Sequence, residues 1–299
     1  MSKEDVVGII QNSIRNDDFI KLAYNDWEVA NLLWNTDPKK YICSVIFHLQ
    51  QSSEKLVKVY VVMFHELLKN ATIILMGPSL ISEHKIEKEI KEHDAFKILS
   101  LLRTYHNAVF KELNLEKDQF DLADIILKDA GIIETSIDYE KGLDDGKNRN
   151  KIATMDKKLL LNLIKTAKEN KEKLEKIKLG DVGYEILQNK LLKMDRNSRS
   201  IVERDSYSKA QKFGMDSKNY FKTILDEFSP LIYSSICVFT YALILYPHEQ
   251  AVRYPIGNNV ELAPINYTNN GELGISSDDV IKELISDIKG IFTELKIII

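Results

Sequence analysis

Phe47-His48-Leu49-Gln50-Gln51-Ser52-Ser53-Glu54-Lys55-Leu56-Val57-Lys58 lies within a run from Lys39 to Leu68 that contains neither Gly nor Pro. Apolar residues recur along that run at Ile42, Val45, Ile46, Leu49, Leu56, Val57, Tyr60 and Phe64. This spacing places them on one face of a long helix. Gln51, Glu54 and Lys58 follow at offsets of three and four residues, so a polar stripe runs beside the apolar seam.

The same period extends outward in both directions. A first helix is predicted from Asp17 to Trp34, with Phe19, Leu22, Ala23, Trp27, Ala30 and Leu33 on one side. Thr36-Asp37-Pro38 ends it and starts the next: Asp37 caps, and Pro38 takes the first helical position, where no amide hydrogen is needed. The long second helix is expected to stop near Asn70, before Gly77-Pro78. A third runs from Asp94 to Leu113, and a shorter amphipathic piece covers Gln119–Leu127. Gly, Asp and Asn cluster at 136–152, which reads as an exposed loop.

Beyond that loop, a Lys/Glu-rich helix is expected from Asp156 to Lys178, ended by Gly180, with weaker helices at Leu187–Met194 and Ile201–Phe213. Pro230 is expected to divide Tyr220–Phe228 from the apolar helix Leu231–Tyr246. The closing helix has Ser276 or Ser277 as its cap and Asp278 and Asp279 at its positive end. Val280, Ile281, Leu284, Ile285, Ile288, Ile291, Phe292 and Leu295 form its seam. No run of alternating strands is visible, so the expected fold is all-α.

The chain's 299 residues, 44% of them apolar, are enough to bury a substantial core. Cys43 and Cys237 sit in apolar helical surroundings and read as small buried residues. The opening Met1-Ser2-Lys3-Glu4-Asp5 lacks the layout of a secretory leader, and the 16 residues of Leu231–Tyr246 fall short of a bilayer span of about 20. A cytoplasmic chain with no membrane contact is therefore expected. Net charge is −4, unevenly spread: residues 151–225 hold 18 Lys or Arg against 10 Asp or Glu, while the rest hold 23 against 35. Such asymmetry marks either a segment that meets a polyanion or ordinary solvated helix faces.

Three landmarks in order resemble the HEPN family, the "higher eukaryotes and prokaryotes nucleotide-binding" helical bundles. The first is Phe47, Gln50-Gln51, Glu54-Lys55 and Lys58. The second is His93-Asp94 leading to Ile98-Leu99. The third is Tyr246-Pro247-His248-Glu249-Gln250-Ala251-Val252-Arg253-Tyr254-Pro255, whose Arg-Tyr-Pro is similar to the exit of that family's fourth helix. About 140 residues separate the last two landmarks, far more than the family usually has. The expected organisation is thus an up-and-down helical bundle from 1–113 and 220–299, enlarged by a helical insertion at 114–219 that contains most of the basic 151–225 segment. A rival partition places two successive helical domains on either side of the 136–152 loop.

The resemblance implies binding of nucleotide or nucleic acid such as RNA. It also implies a homodimer, and a nucleotidyltransferase partner or a defence or toxin–antitoxin setting. Lys55 and Lys58, with His248, Arg253 and Tyr254, are the candidate ligand-binding residues, because an Arg fork holds two phosphate oxygens at once. Their structural alternatives are equally plain: Glu54 and Lys58 form an i, i+4 ion pair, Arg253 neutralises a helix end, and Tyr254 packs.

Some members of the family cut RNA with Arg, four to six residues, then His; none of the seven arginines here is followed by that spacing. Arg103 and His106, with two residues between them, are the nearest substitute, as cation and base for a 2′-hydroxyl, with His248/Arg253 in reverse order as a second. The alternative for Arg103 and His106 is packing at the bundle surface. A third possibility is a scaffold that pairs with proteins through apolar seams. No zinc-ligand spacing and no glycine-rich phosphate loop occurs, so no metal or other cofactor is expected.

Overall fold

The computed structural model describes residues 18–75, 95–112, 152–212, 214–249, 252, 267 and 273–295. The predicted 119–127 helix, nearly all of the 136–152 loop, the His93-Asp94 pair, Arg253 and Tyr254 lie outside the described residues. Within them the protein is an all-α helical bundle without strands.

Helix α1 (Asp18–Thr36) and helix α2 (Pro38–Leu75) are joined by Asp37 alone. Asp37 Oδ1 accepts the Lys40 amide at 3.1 Å, and Pro38 opens α2 as its sequence position dictates. The one-residue link folds α1 back along α2. Ser52 Oγ on α2 then donates to the Ala23 carbonyl of α1 at 2.8 Å. Helix α3 spans Ala95–Glu112, α4 Lys157–Glu175, α5 Leu179–Lys193, α6 Arg196–Lys212, α7 Ser217–Leu245 and α8 Asp278–Glu294. A 3-10 turn, Tyr246–His248, continues α7, and another, Gly274–Ser276, precedes α8.

The hub is α7, which packs against α2, α3, α4, α5, α6 and α8. From Leu231 to Tyr246 every residue is buried. With its 3-10 turn it is long and apolar enough to cross a membrane, but 83% of its most apolar window is buried inside the bundle. The first and last described helices meet: α8 packs on α1 and α2, and Trp27 Nε1–H of α1 donates to the Ile285 carbonyl of α8 at 2.9 Å. Helix α4 joins the same core through Leu160, Leu163, Ile164, Ala167 and Leu174.

Several boundaries differ from the sequence expectation. Pro230 does not divide two helices; α7 runs through it. Proline deprives the Asp226 carbonyl of its amide donor, and Ser229 Oγ supplies the missing hydrogen at 2.7 Å. Helix α4 stops at Glu175, and Gly180 stands in the first turn of α5 rather than ending α4. A side chain there would push the Asp226 carboxylate aside. A Cβ at position 180 would lie 2.5 Å from Asp226 Oδ1, the atom that accepts the Gly180 amide at 3.1 Å. Helix α2 continues past Asn70 to Leu75.

At α8, Ser277 holds the cap position but makes no side-chain cap bond, and the Ser276 hydroxyl donates to the Leu273 carbonyl instead. Asp278 and Asp279 occupy the positive end of α8 in its place. Cys237 is buried as expected and Cys43 only half-buried, and neither forms a disulfide among the described residues.

Candidate nucleic-acid interface

The candidates on α2 face partners within the bundle. Lys58 Nζ donates to Glu54 Oε1 at 2.8 Å and lies 5.8 Å from the centre of the Phe19 ring; Lys58 is only 6% exposed. Gln50 Nε2 donates to the other oxygen of Glu54 at 3.3 Å. Removing Lys58 would leave a nearly buried carboxylate without its counter-ion, which makes the pair a far larger structural element than a solvated one. Lys55 Nζ donates to Asp26 Oδ2 at 2.7 Å, and His48 Nδ1 stands 3.1 Å from Asp26 Oδ1. Burial pushes the Asp26 carboxyl upward, but hydrogen bonds from His48 and Lys55 outweigh it and hold the group below its ordinary value.

Arg103 and His106 share α3 and are both buried, His106 completely. Ser235 Oγ gives its proton to the Ile232 carbonyl at 2.7 Å, so His106 Nδ1–H is the donor in the 2.8 Å contact with Ser235. The imidazole also stands edge-on to Phe64, with ring centres 6.4 Å apart. His248 is equally enclosed, 2.7 Å from the Tyr267 hydroxyl. Burial drives its pKa down to about 3, so the ring is neutral at ordinary pH. The structure therefore brings Lys58 to Glu54, Lys55 to Asp26, His106 to Ser235 and His248 to Tyr267.

The basic segment divides into two kinds of surface. On α4, Lys157 pairs with Asp279, Lys168 with Glu283 and Asp287, and Lys171 with Glu294. All four acids belong to α8, so part of the charge asymmetry is complementarity between two packed helices. Tyr241 O–H also donates to Asp287, at 2.9 Å. The closing helix's apolar seam is buried here from Val280 to Phe292 and is not an outer surface.

Helix α6 is built differently. Asp195 Oδ1 caps it, accepting the Asn197 and Ser198 amides at 3.0 Å each. Ala210 is its sole buried side chain among those described. Arg199 and Glu203 form an i, i+4 pair at 2.8 Å on the flank nearer Ala210. Arg196, Ser200, Arg204, Tyr207 and Gln211 follow one another at offsets of four, four, three and four residues. That puts all five on one stripe of the helix, and all five are exposed. Among the described residues neither arginine forms an ion pair. Gln211 Nε2 donates to the Tyr207 hydroxyl at 2.7 Å, which ties the ring to the helix surface.

Helix α6 was legible as a weak helix, but its stripe was not singled out. The signal was available in the spacing of its polar residues rather than in any apolar period. The described residues contain no group of three or more His, Cys, Asp or Glu able to hold a metal ion. The chain matches no family model, no curated protein and no solved structure.

Proposed function

We propose that this chain is a nucleic-acid-binding helical protein whose contact surface is α6. The observation that carries the reading is the exposed stripe Arg196, Ser200, Arg204, Tyr207, Gln211 on a helix that, among its described side chains, buries only Ala210. A helix whose described side chains, Ala210 apart, lie outside the core has a composition that answers to what it meets outside. Two guanidinium groups without an ion pair among the described residues, a hydroxyl, an amide and an aromatic ring are the groups that hold phosphates and bases.

The resemblance of the Phe47–Lys58 stretch to HEPN bundles points to the same class of ligand, and the common core of α1, α2, α3, α7 and α8 is compatible with that kinship. Binding is favoured over hydrolysis because His106 and His248 are both enclosed by protein.

Fluorescence anisotropy with labelled 20-nucleotide strands across a salt series tests the proposal. The logarithm of the affinity should fall linearly with that of salt concentration. Replacing both Arg196 and Arg204 by Ala should flatten the slope by about 1.4, at about 0.7 per phosphate contact on single strands. Undetectable or salt-independent association would overturn it.

A further inference from the structure

We infer that α6 takes single-stranded rather than duplex nucleic acid, with Tyr207 as the ring on which an unpaired base stacks. This rests on the nucleic-acid reading above and specifies its ligand. Tyr207 is 55% exposed, which leaves much of the ring open to water. A ring in that position gains by being covered, and every base offers a flat face to cover it. Its orientation is not left free, because the Gln211 amide, one turn on, holds the hydroxyl. Arg204 lies one turn before the ring. Arg196 lies eleven residues before it, about 16 Å along the axis at 1.5 Å per residue. Cations that follow a backbone beside an aromatic platform are the parts that single-strand binding requires.

Duplex binding fits the same helix poorly. A helix in the major groove has phosphate walls on both sides. By register, Glu203, which pairs with Arg199, flanks the stripe on one side, so one wall would meet a carboxylate. The bases of a duplex also keep their faces stacked on each other, which leaves Tyr207 nothing to stack on. A strand laid along the stripe can turn a base onto the ring.

The full-length protein should be titrated at one salt concentration with labelled 20-mers: single-stranded RNA, single-stranded DNA and the matching duplexes. Either single strand should bind at least about tenfold more tightly than its duplex. Tyr207→Ala should weaken single-strand binding by about tenfold, in keeping with the loss of one base–aromatic stack, and leave the duplex unchanged. Tyr207→Phe should retain most of the affinity. Circular dichroism checks that the Ala variant keeps its helix content. Duplex binding as tight as single-strand binding, or a Tyr207→Ala variant with unaltered single-strand affinity, would overturn the inference. In that case the nucleic-acid reading still stands if the arginine variant flattens the salt slope. Failure of all four oligomers to bind would overturn both.

Discussion

Helices α4 and α6 come from one lysine- and arginine-rich stretch and are of similar length, 19 and 17 residues. Helix α4 has an apolar face in register at Leu160, Leu163, Ile164, Ala167 and Leu174, and that face is buried. Three of its lysines reach the acids of α8. Helix α6 has no such period, buries only Ala210 among its described side chains, and turns Arg196 and Arg204 to solvent. Like-signed sequence can therefore serve opposite ends. Where an apolar seam fixes a helix against an acidic neighbour, its cations are neutralised within the fold; where the seam is missing, they remain available to a polyanion.

The largest expected contrast is in packing. Leu163→Ala in α4 should cost about 2–5 kcal/mol, since it opens a cavity in the common core. Ile201→Ala in α6, where the side chain is already 65% exposed, should stay within about 0.5 kcal/mol. Urea midpoints of the two variants decide the matter. Comparable losses would mean that α6 has a buried face after all, and the contrast would fail.

The ionic contacts of α4 come next. Lys168→Ala leaves Asp287 in a half-buried site, where burial already raises its carboxyl above the ordinary range against the pull of Lys168 and Tyr241. Lys168 is itself partly exposed, so the loss should fall between that of surface and of buried pairs, about 1–2 kcal/mol. Combining it with Asp287→Asn should recover part of that loss. Additive losses in such a double-mutant cycle would show that the two residues are not coupled.

Acid separates the two regions in another way. His248 titrates near 6.5 when unfolded but is pushed down to about 3 in the folded chain. Between those values the unfolded state binds the extra proton, so stability falls as pH drops through that window. The loss at pH 5.5 should be about 1.4 kcal/mol, and His248→Gln should remove it. The guanidinium groups of α6 keep their charge throughout. Denaturation at pH 7.5 and 5.5 should therefore shift the midpoint, while the affinity for a labelled strand stays constant. An acid-insensitive midpoint, or one that shifts equally in His248→Gln, would contradict the assignment of that proton.

These contrasts also show what a reader of the sequence can and cannot recover. The seams of α2, α4 and α8, that of α1 except for Leu22, which is exposed, and the Asp37-Pro38 junction were legible because each is written in neighbouring residues. Pro230 misled because the group that compensates it, the Ser229 hydroxyl, acts through a carbonyl that no periodicity reveals. The Lys168–Asp287 and Lys171–Glu294 contacts join residues more than a hundred positions apart, so the excess of lysine looked like a surface feature throughout. Lys58 and His106 were weighed as groups that a ligand might reach, and only the packing of other helices over them shows how little solvent either meets. For α6 the difficulty was the reverse: the missing apolar period that made it look like a poor helix is the feature that exposes its stripe.

The smallest expected effect isolates the stripe from charge in general. Lys165 on α4 is exposed and, among the described residues, pairs only with Glu169, one turn away, so it shares sign, exposure and neighbourhood in sequence with Arg204. Lys165→Ala and Arg204→Ala should each change stability by less than about 0.5 kcal/mol, because neither side chain packs or neutralises a buried group. Their effects on binding should differ. Arg204→Ala should flatten the salt slope by about 0.7, one phosphate contact on a single strand, whereas Lys165→Ala should leave it where it was. Equal flattening by both would mean that the nucleic acid responds to the overall field of the 151–225 segment, and α6 would lose its claim to be the interface even though binding itself persisted.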